Sequence, residues 1–195
     1  MKLSQSAHTS QPWRIHELTR DFRLEDVWAL PTPGGRDDFG QLVDRVLAGD
    51  PARSSSRVAH TLWAIRWKLG ELLGWDEPKA GLGARVPTLH DRLPADLQGT
   101  ACALDFTTAP FSPLYLLEDE FAAEIANRTV HGVMHLGWVQ DGAGGYRGQM
   151  AVLVKPNGLL GAAYMAAIKP FRYLVVYPAL LAQIERDWRA AQRLA

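Results

Sequence analysis

Cysteine is all but missing, with Cys102 alone in 195 residues. No disulfide can form within the chain, which fits a reducing, cytoplasmic setting. Nothing beside Cys102 in sequence would depress its pKa, so it reads as a small half-buried residue. Net charge is missing too: Lys plus Arg and Asp plus Glu number 21 each. A broad nucleic-acid footprint needs a basic surface and is excluded. The opening MKLSQSAHTSQPW has no apolar run, which excludes a secretory leader and predicts a flexible tail over residues 1–11. No serine sits in a nucleophile elbow. The glycine-rich Asp141–Gly145 lacks the Lys-Ser/Thr of a phosphate loop and joins two strands instead of opening a helix.

One long apolar run is present, from Gly158 to Ile184. Lys169, Pro170 and Arg172 interrupt it, and a charge at mid-bilayer costs about 2.5–3.5 kcal/mol. It predicts a buried core helix, not a stable membrane span. Overall, 47% of residues are hydrophobic and 22% charged, ordinary for one globular domain, here expected over residues 12–195.

The patterns along the chain are those of an α+β protein. Trp13–Leu30 reads as one or two short strands. Asp37-Asp38 opens a helix of about a dozen residues, with Phe39, Leu42, Val43, Val46 and Leu47 at helical spacing. A second helix is expected over Arg57–Leu73, flanked by Trp63 and Trp67. His90–Leu97 reads as loop or short edge strand, because Pro94 cannot donate to a central ladder. Four strands follow, over Leu114–Leu117, Phe121–Ala126, Thr129–Val139 and Tyr146–Lys155.

Two hairpins fix the registers against each other. A two-residue loop at Asn127-Arg128 sets Ile125 opposite Val130 and Phe121 opposite Met134. Pairing Trp138 with Gly148 sets Leu136 opposite Met150 and Met134 opposite Val152. Both registers gather Phe121, Ile125, Val130, Met134, Leu136, Trp138, Met150, Val152 and Val154 on one face, and a one-residue slip in either would scatter them. Gly132 and Gly148 leave room there for the final helix, capped by Asn157 and kinked at Pro170 and Pro178. The other face pairs His131 with Glu124 and His135 with Glu120. The two histidines lie about 13 Å apart along a strand, too far to share an ion whose ligands sit near 2 Å. This predicts solvated cross-strand pairs and no metal site.

Three segments carry a resemblance: TLHDRLPADL (Thr88–Leu97), LYLLEDEFAAEIANRTVHGVMHLGWV (Leu114–Val139) and GGYRGQMAVLVKPNGLLGAAYMAAIKPFRYLVVYPAL (Gly144–Leu180). With them the chain resembles an uncharacterised bacterial domain-of-unknown-function family, whose members occur alone or fused behind short-chain-dehydrogenase-like domains. The element order is similar to the START-like, Bet v 1-like helix-grip superfamily. That resemblance implies an antiparallel sheet curved around a long kinked C-terminal helix, with two helices inserted after the first strand. It also implies a cavity between sheet and helix for lipids, polyketides or other apolar molecules. Fold alone does not assign function.

The expected function is binding of a small apolar molecule between the sheet and the Gly158–Leu181 helix. Its wall would be Trp28, Phe121, Met134, Leu136, Trp138, Tyr146, Met150, Val152 and Tyr164, apolar with a few polar tips. No cofactor is implied. One alternative is a cyclase or lyase using His90, Asp91, Arg92 or Tyr146 at the cavity mouth. Another is an interaction module with a packed core that docks a protein partner or a second copy.

Overall fold

The computed structural model describes residues 1–48, 86–100, 104–106, 110–127 and 129–193, without the side chains of Leu160 and Tyr164. The second expected helix, with Trp63 and Trp67, and Cys102 lie outside the described residues. Strands β1 (Arg23–Ala29), β2 (Ser112–Leu116), β3 (Glu120–Ala126), β4 (Val130–Gln140) and β5 (Tyr146–Pro156) form one antiparallel sheet in the order β1-β5-β4-β3-β2. The first strand pairs with the last, and a long C-terminal helix follows. This is an α+β, helix-grip-like fold.

The second hairpin has the expected register: Trp138 pairs with Gly148, Leu136 with Met150 and Met134 with Val152. The first is offset by two residues, with Ile125 opposite Gly132 and Phe121 opposite Leu136. Asn127 belongs to the ladder, not the loop. Its N–H donates to Val130 O at 2.9 Å, and its side-chain oxygen accepts from the N–H groups of Thr129 and Val130. An offset of two keeps every side chain on its face, so the apolar set stays together.

The helix face of the sheet carries Trp28, Phe121, Leu136, Trp138 and Met150 in one buried cluster, with Met134, Tyr146 and Val152 half-buried against it. Its cover differs from expectation. Helix α3 (Phe39–Ala48) packs Phe39, Leu42, Val43 and Leu47 there. The C-terminal helix has two parts, α4 (Gly158–Phe171) and α5 (Tyr177–Gln192), joined by a π-helical turn, Arg172–Val176. Pro170 lies in the last turn of α4 and Pro178 in the first of α5. A proline removes a backbone donor and crowds the preceding turn, and a π turn absorbs the misfit. Tyr177 and Trp188 of α5 are buried on the sheet. In α4 the small residues Ala162, Ala163, Ala166 and Ala167 are exposed, as is Leu159. Asn157 makes no cap and instead donates to Asn127 O at 2.8 Å. By length and composition Gly161–Gln192 suffices to cross a membrane, and only 11% of its apolar window is buried, so it is not the buried core helix that the sequence predicts; Arg172, Tyr177 and Trp188 are among its buried residues.

The other face is not solvated. Residues 1–11, expected as a flexible tail, are built into the fold. Leu3 N–H donates to Val27 O at 2.8 Å, and His8 is fully buried. Short helices α1 (Ser6–Thr9) and α2 (Ile15–Leu18), with a 3-10 turn at Leu89–Arg92, cover this face. Glu120 accepts the N–H groups of Arg14 and Ile15, each at 2.9 Å, the Tyr115 hydroxyl, and His135 Nε2 at 3.0 Å. Glu124 accepts Leu89 N–H at 3.0 Å, the Thr88 hydroxyl, and His131 Nε2 at 2.7 Å. The expected His–Glu partners therefore do meet, diagonally and buried. His135 lies in the core although it is on the expected face, because both faces are covered.

Glycine serves close packing, not vacancy. A Cβ on Gly148 would meet Leu42 Cδ2 at 2.7 Å, Leu30 Cδ1 at 2.9 Å and Thr32 Oγ1 at 3.0 Å, and one on Gly161 would strike Thr129 O. Gly148→Leu should therefore lower stability by about 1–3 kcal/mol, read as a fall in urea midpoint. An unchanged midpoint would mean that α3 does not seat there.

The buried histidines set a pH dependence. His8 Nε2 meets His135 Nδ1 at 3.1 Å. Burial, then the neighbouring His135 and His16, pushes His8 down to about 3, against an opposing pull from Glu120. Burial also lowers His135 in spite of Glu120. Both are neutral in the fold, whereas an unfolded histidine titrates near 6.5. Below that pH the unfolded chain takes up protons that the fold refuses, so stability falls with pH. The urea midpoint should drop between pH 7 and 5, above the carboxylate range, and drop less in His8→Phe.

Candidate functional site

The sequence places Asp26 and Trp28 on the helix face through a bulge in β1. The register with β5 shifts between Leu24 and Asp26, so Leu24 and Val27 face the histidine side while Asp26 and Trp28 face α5. Asp26 is only 1% exposed. A buried carboxylate needs partners of its own. Arg172 forms an ion pair with it, and the hydroxyls of Tyr173 and Tyr177 donate to it, Tyr177 at 2.7 Å. Arg172 also donates to the Tyr177 oxygen at 2.8 Å, and Lys2 donates to the Tyr173 oxygen at 2.7 Å. Burial raises the Tyr177 hydroxyl above its ordinary value, so it stays a donor. The π turn brings Arg172, Tyr173 and Tyr177 to one carboxylate. Sequence reading marked the prolines on either side but not this cluster, although Arg172 within a long apolar run is a signal of a buried pair.

Beside this anchor, an open groove of about 490 Å³ runs between the end of β1 and α5. Its walls are Ala29, Leu30 and Pro31 on one side and Pro178, Leu181 and Ala182 on the other. The Trp28 ring lies against Tyr177, 4.7 Å between centroids, next to the groove-lining Pro178. This space lies between the end of the sheet's first strand and the α5 part of the C-terminal helix. None of the described residues of the expected wall lines this groove: Trp28, Phe121, Leu136, Trp138 and Met150 are packed core, Met134, Tyr146 and Val152 pack half-buried against it, and the Tyr164 side chain lies outside the described residues.

The matching sequence model is that of a protein family of unknown function and spans residues 18–179. The chain belongs to the DUF2867 family. No curated protein and no solved structure matches it. The span of the DUF2867 model takes in Asp26, Trp28, Arg172, Tyr173 and Tyr177, along with both His–Glu pairs.

The catalytic candidates do not converge in this DUF2867 chain. His90, Asp91 and Arg92 are exposed on the layer that covers the histidine face, on the far side of the sheet from the helix. Arg92 pairs with Asp21 at 2.8 Å, and with Lys155 it holds Asp21 well below the usual carboxylate range. Tyr146 lies apart, in a second open groove of about 430 Å³ lined by Trp13, Arg14, Asp119, Glu120 and Gln140 among others. There burial and the charge of Glu120 raise Asp119, while His135 and the donors around Glu120 outweigh burial and lower it. A carboxyl raised above its ordinary value beside one lowered below it is a pairing that acid–base chemistry uses. Among the described residues no three His, Cys, Asp or Glu are grouped to hold a metal.

Removing one partner of a buried ion pair leaves an uncompensated charge. Arg172→Met should therefore cost about 3–5 kcal/mol in urea unfolding. A loss under about 1 kcal/mol would show that Asp26 does not depend on Arg172.

Proposed function

We propose that this protein binds a small apolar molecule in the groove between β1 and α5. The observation that carries the reading is the groove itself. Its volume falls in the range of small-molecule sites, roughly 300–1,000 Å³, and its walls are Leu, Pro and Ala side chains with Glu185 and Met1 at the margin. Half-buried Met134 and Val152 extend apolar surface along the same sheet face. A START-like relationship, as the resemblance suggests, would supply the same use of the space between sheet and helix. A bacterial, cytoplasmic setting without nucleic acid or stable membrane insertion belongs to this reading.

A cyclase- or lyase-type activity is the second reading. It rests on the other groove, where the raised Asp119 carboxyl stands beside ionised Glu120 and near Tyr146.

Burial of apolar surface at about 25 cal/mol per Å² gives micromolar affinity for a mid-sized guest in a preformed groove. The neutral probe N-phenyl-1-naphthylamine should bind wild type with about micromolar Kd. Ala182→Trp, which fills the groove from its α5 wall, should weaken binding at least tenfold and leave the melting temperature within a few degrees. No fluorescence enhancement with wild-type protein at about 50 μM would overturn the reading.

A further inference from the structure

Residues 1–11 wrap round the β1 edge of the sheet and touch both of its faces. On the helix face Met1 lines the β1–α5 groove, and Lys2 donates to the Tyr173 oxygen at 2.7 Å. Along the edge Lys2 pairs with Trp28 as an antiparallel bridge, and Leu3 N–H donates to Val27 O at 2.8 Å. On the histidine face α1 lies under the sheet, where Gln149 donates to Ala7 O at 3.3 Å. Of these eleven residues only His8 is buried. The segment is therefore fastened by one side chain, and that side chain can take up a proton.

The hydrogen bonds fix where the protons sit. Glu120 accepts the N–H groups of Arg14 and Ile15, the Tyr115 hydroxyl and His135 Nε2. His135 Nε2 therefore carries its proton, and in a neutral ring Nδ1 is then a bare acceptor. His8 Nε2, 3.1 Å from that Nδ1, donates to it. This leaves His8 Nδ1 bare, buried and without a partner. A proton added to His135 Nδ1 would face the His8 proton. One added to His8 Nδ1 would be a buried donor with no acceptor, beside the His16 ring at 4.9 Å. The charged groups around the pair are Glu120 of β3 and the preceding Asp119. Arg147 of β5 pairs with Val139, whose side chain packs on the same layer. Burial and the neighbouring histidines outweigh the pull of Glu120 and hold His8 near 3.

We propose that residues 1–11 are a proton-released strap: fastened while His8 is neutral, they lift from the sheet on acidification, remove one margin of the β1–α5 groove and loosen its guest. The effect on the guest rests on the groove reading, and the release itself does not. Once released, His8 titrates near 6.5. Opening should then be about 25-fold more favourable at pH 5 than at pH 7. By linkage, a guest that needs the Met1 margin must also hold the strap closed.

The test follows amide hydrogen exchange in the ¹⁵N-labelled full chain at pH 7 and pH 5, corrected for intrinsic rates. Opening of the strap is read at the Leu3 N–H and opening of the sheet at Val133 and Leu153. Leu3 exchange should rise by about 25-fold or more at pH 5, and by more than exchange at Val133 and Leu153. N-phenyl-1-naphthylamine should slow Leu3 exchange at either pH and bind more weakly at pH 5. His8→Gln places an amide donor toward His135 Nδ1 without a titrating ring, and should remove most of the rise at Leu3. The wild-type profile decides the matter even if that variant does not fold. Leu3 exchange that is unchanged with pH, or that rises only in step with Val133 and Leu153, would overturn the strap. A full rise in folded His8→Gln would overturn His8 as its fastening. Release at pH 5 with unchanged probe affinity would overturn the link to the groove and leave the strap standing. No probe binding at either pH would overturn the groove reading and that link, while Leu3 exchange still decides the release.

Discussion

Two carboxylates on one strand hold one whole layer of this molecule in place. Glu120 and Glu124 point to the same side of β3, and each reaches the start of a short helical turn, Glu120 accepting two backbone N–H groups and Glu124 one. The two turns come from segments far apart in sequence, Arg14–Ile15 and Leu89. Neither short helix would persist alone in water, since helices of a few residues do not recover their nucleation cost. Each is ordered because a buried carboxylate offers its amides charge-assisted bonds. The histidines behind, His131 and His135, complete the shell that makes burying those charges tolerable.

The same logic governs the opposite face with one pair in place of two. Asp26 enters the interior only because β1 bulges and because the π turn delivers Arg172 and two phenols to it. Apolar packing alone would let a helix slide along a sheet, since dispersion contacts have little directional preference. An ion pair with two hydroxyls fixes both position and rotation. With α5 pinned at Asp26 and packed through Trp188, whose indole N–H donates to Pro33 O at 2.9 Å, the gap beside Leu181 cannot close by sliding. An open apolar groove persists in a protein only when something holds its walls apart.

The strand pattern was legible because a period of two leaves little freedom. The Trp138–Gly148 pairing followed from demanding that one face stay apolar. The error of two residues in the other hairpin went unseen, because parity is insensitive to it and only the Asn127 side chain decides it. The buried His–Glu face was illegible for a different reason. Polar residues in alternation normally mean solvent, and the segments that cover them, about residues 1–20 and 86–97, carry no long periodic signal. Burial there depends on hydrogen bonds between distant residues, which spacing does not encode. The site split likewise. The expected guest space lay along Gly158–Leu181; of that helix the groove takes in Pro178 and Leu181, and Ala182 lies one residue beyond.

The position of the groove at the α5 end has a physical cause. In α4, Gly161 is needed where the helix passes Thr129, and the alanines are exposed. Small residues mark close backbone approach as readily as vacancy. Asp26 of β1 accepts from Tyr177 of α5, and Pro178, the next residue, lines the groove. Sheet bulge, π turn and groove thus meet at one place, although β1 and α5 are about 150 residues apart in sequence.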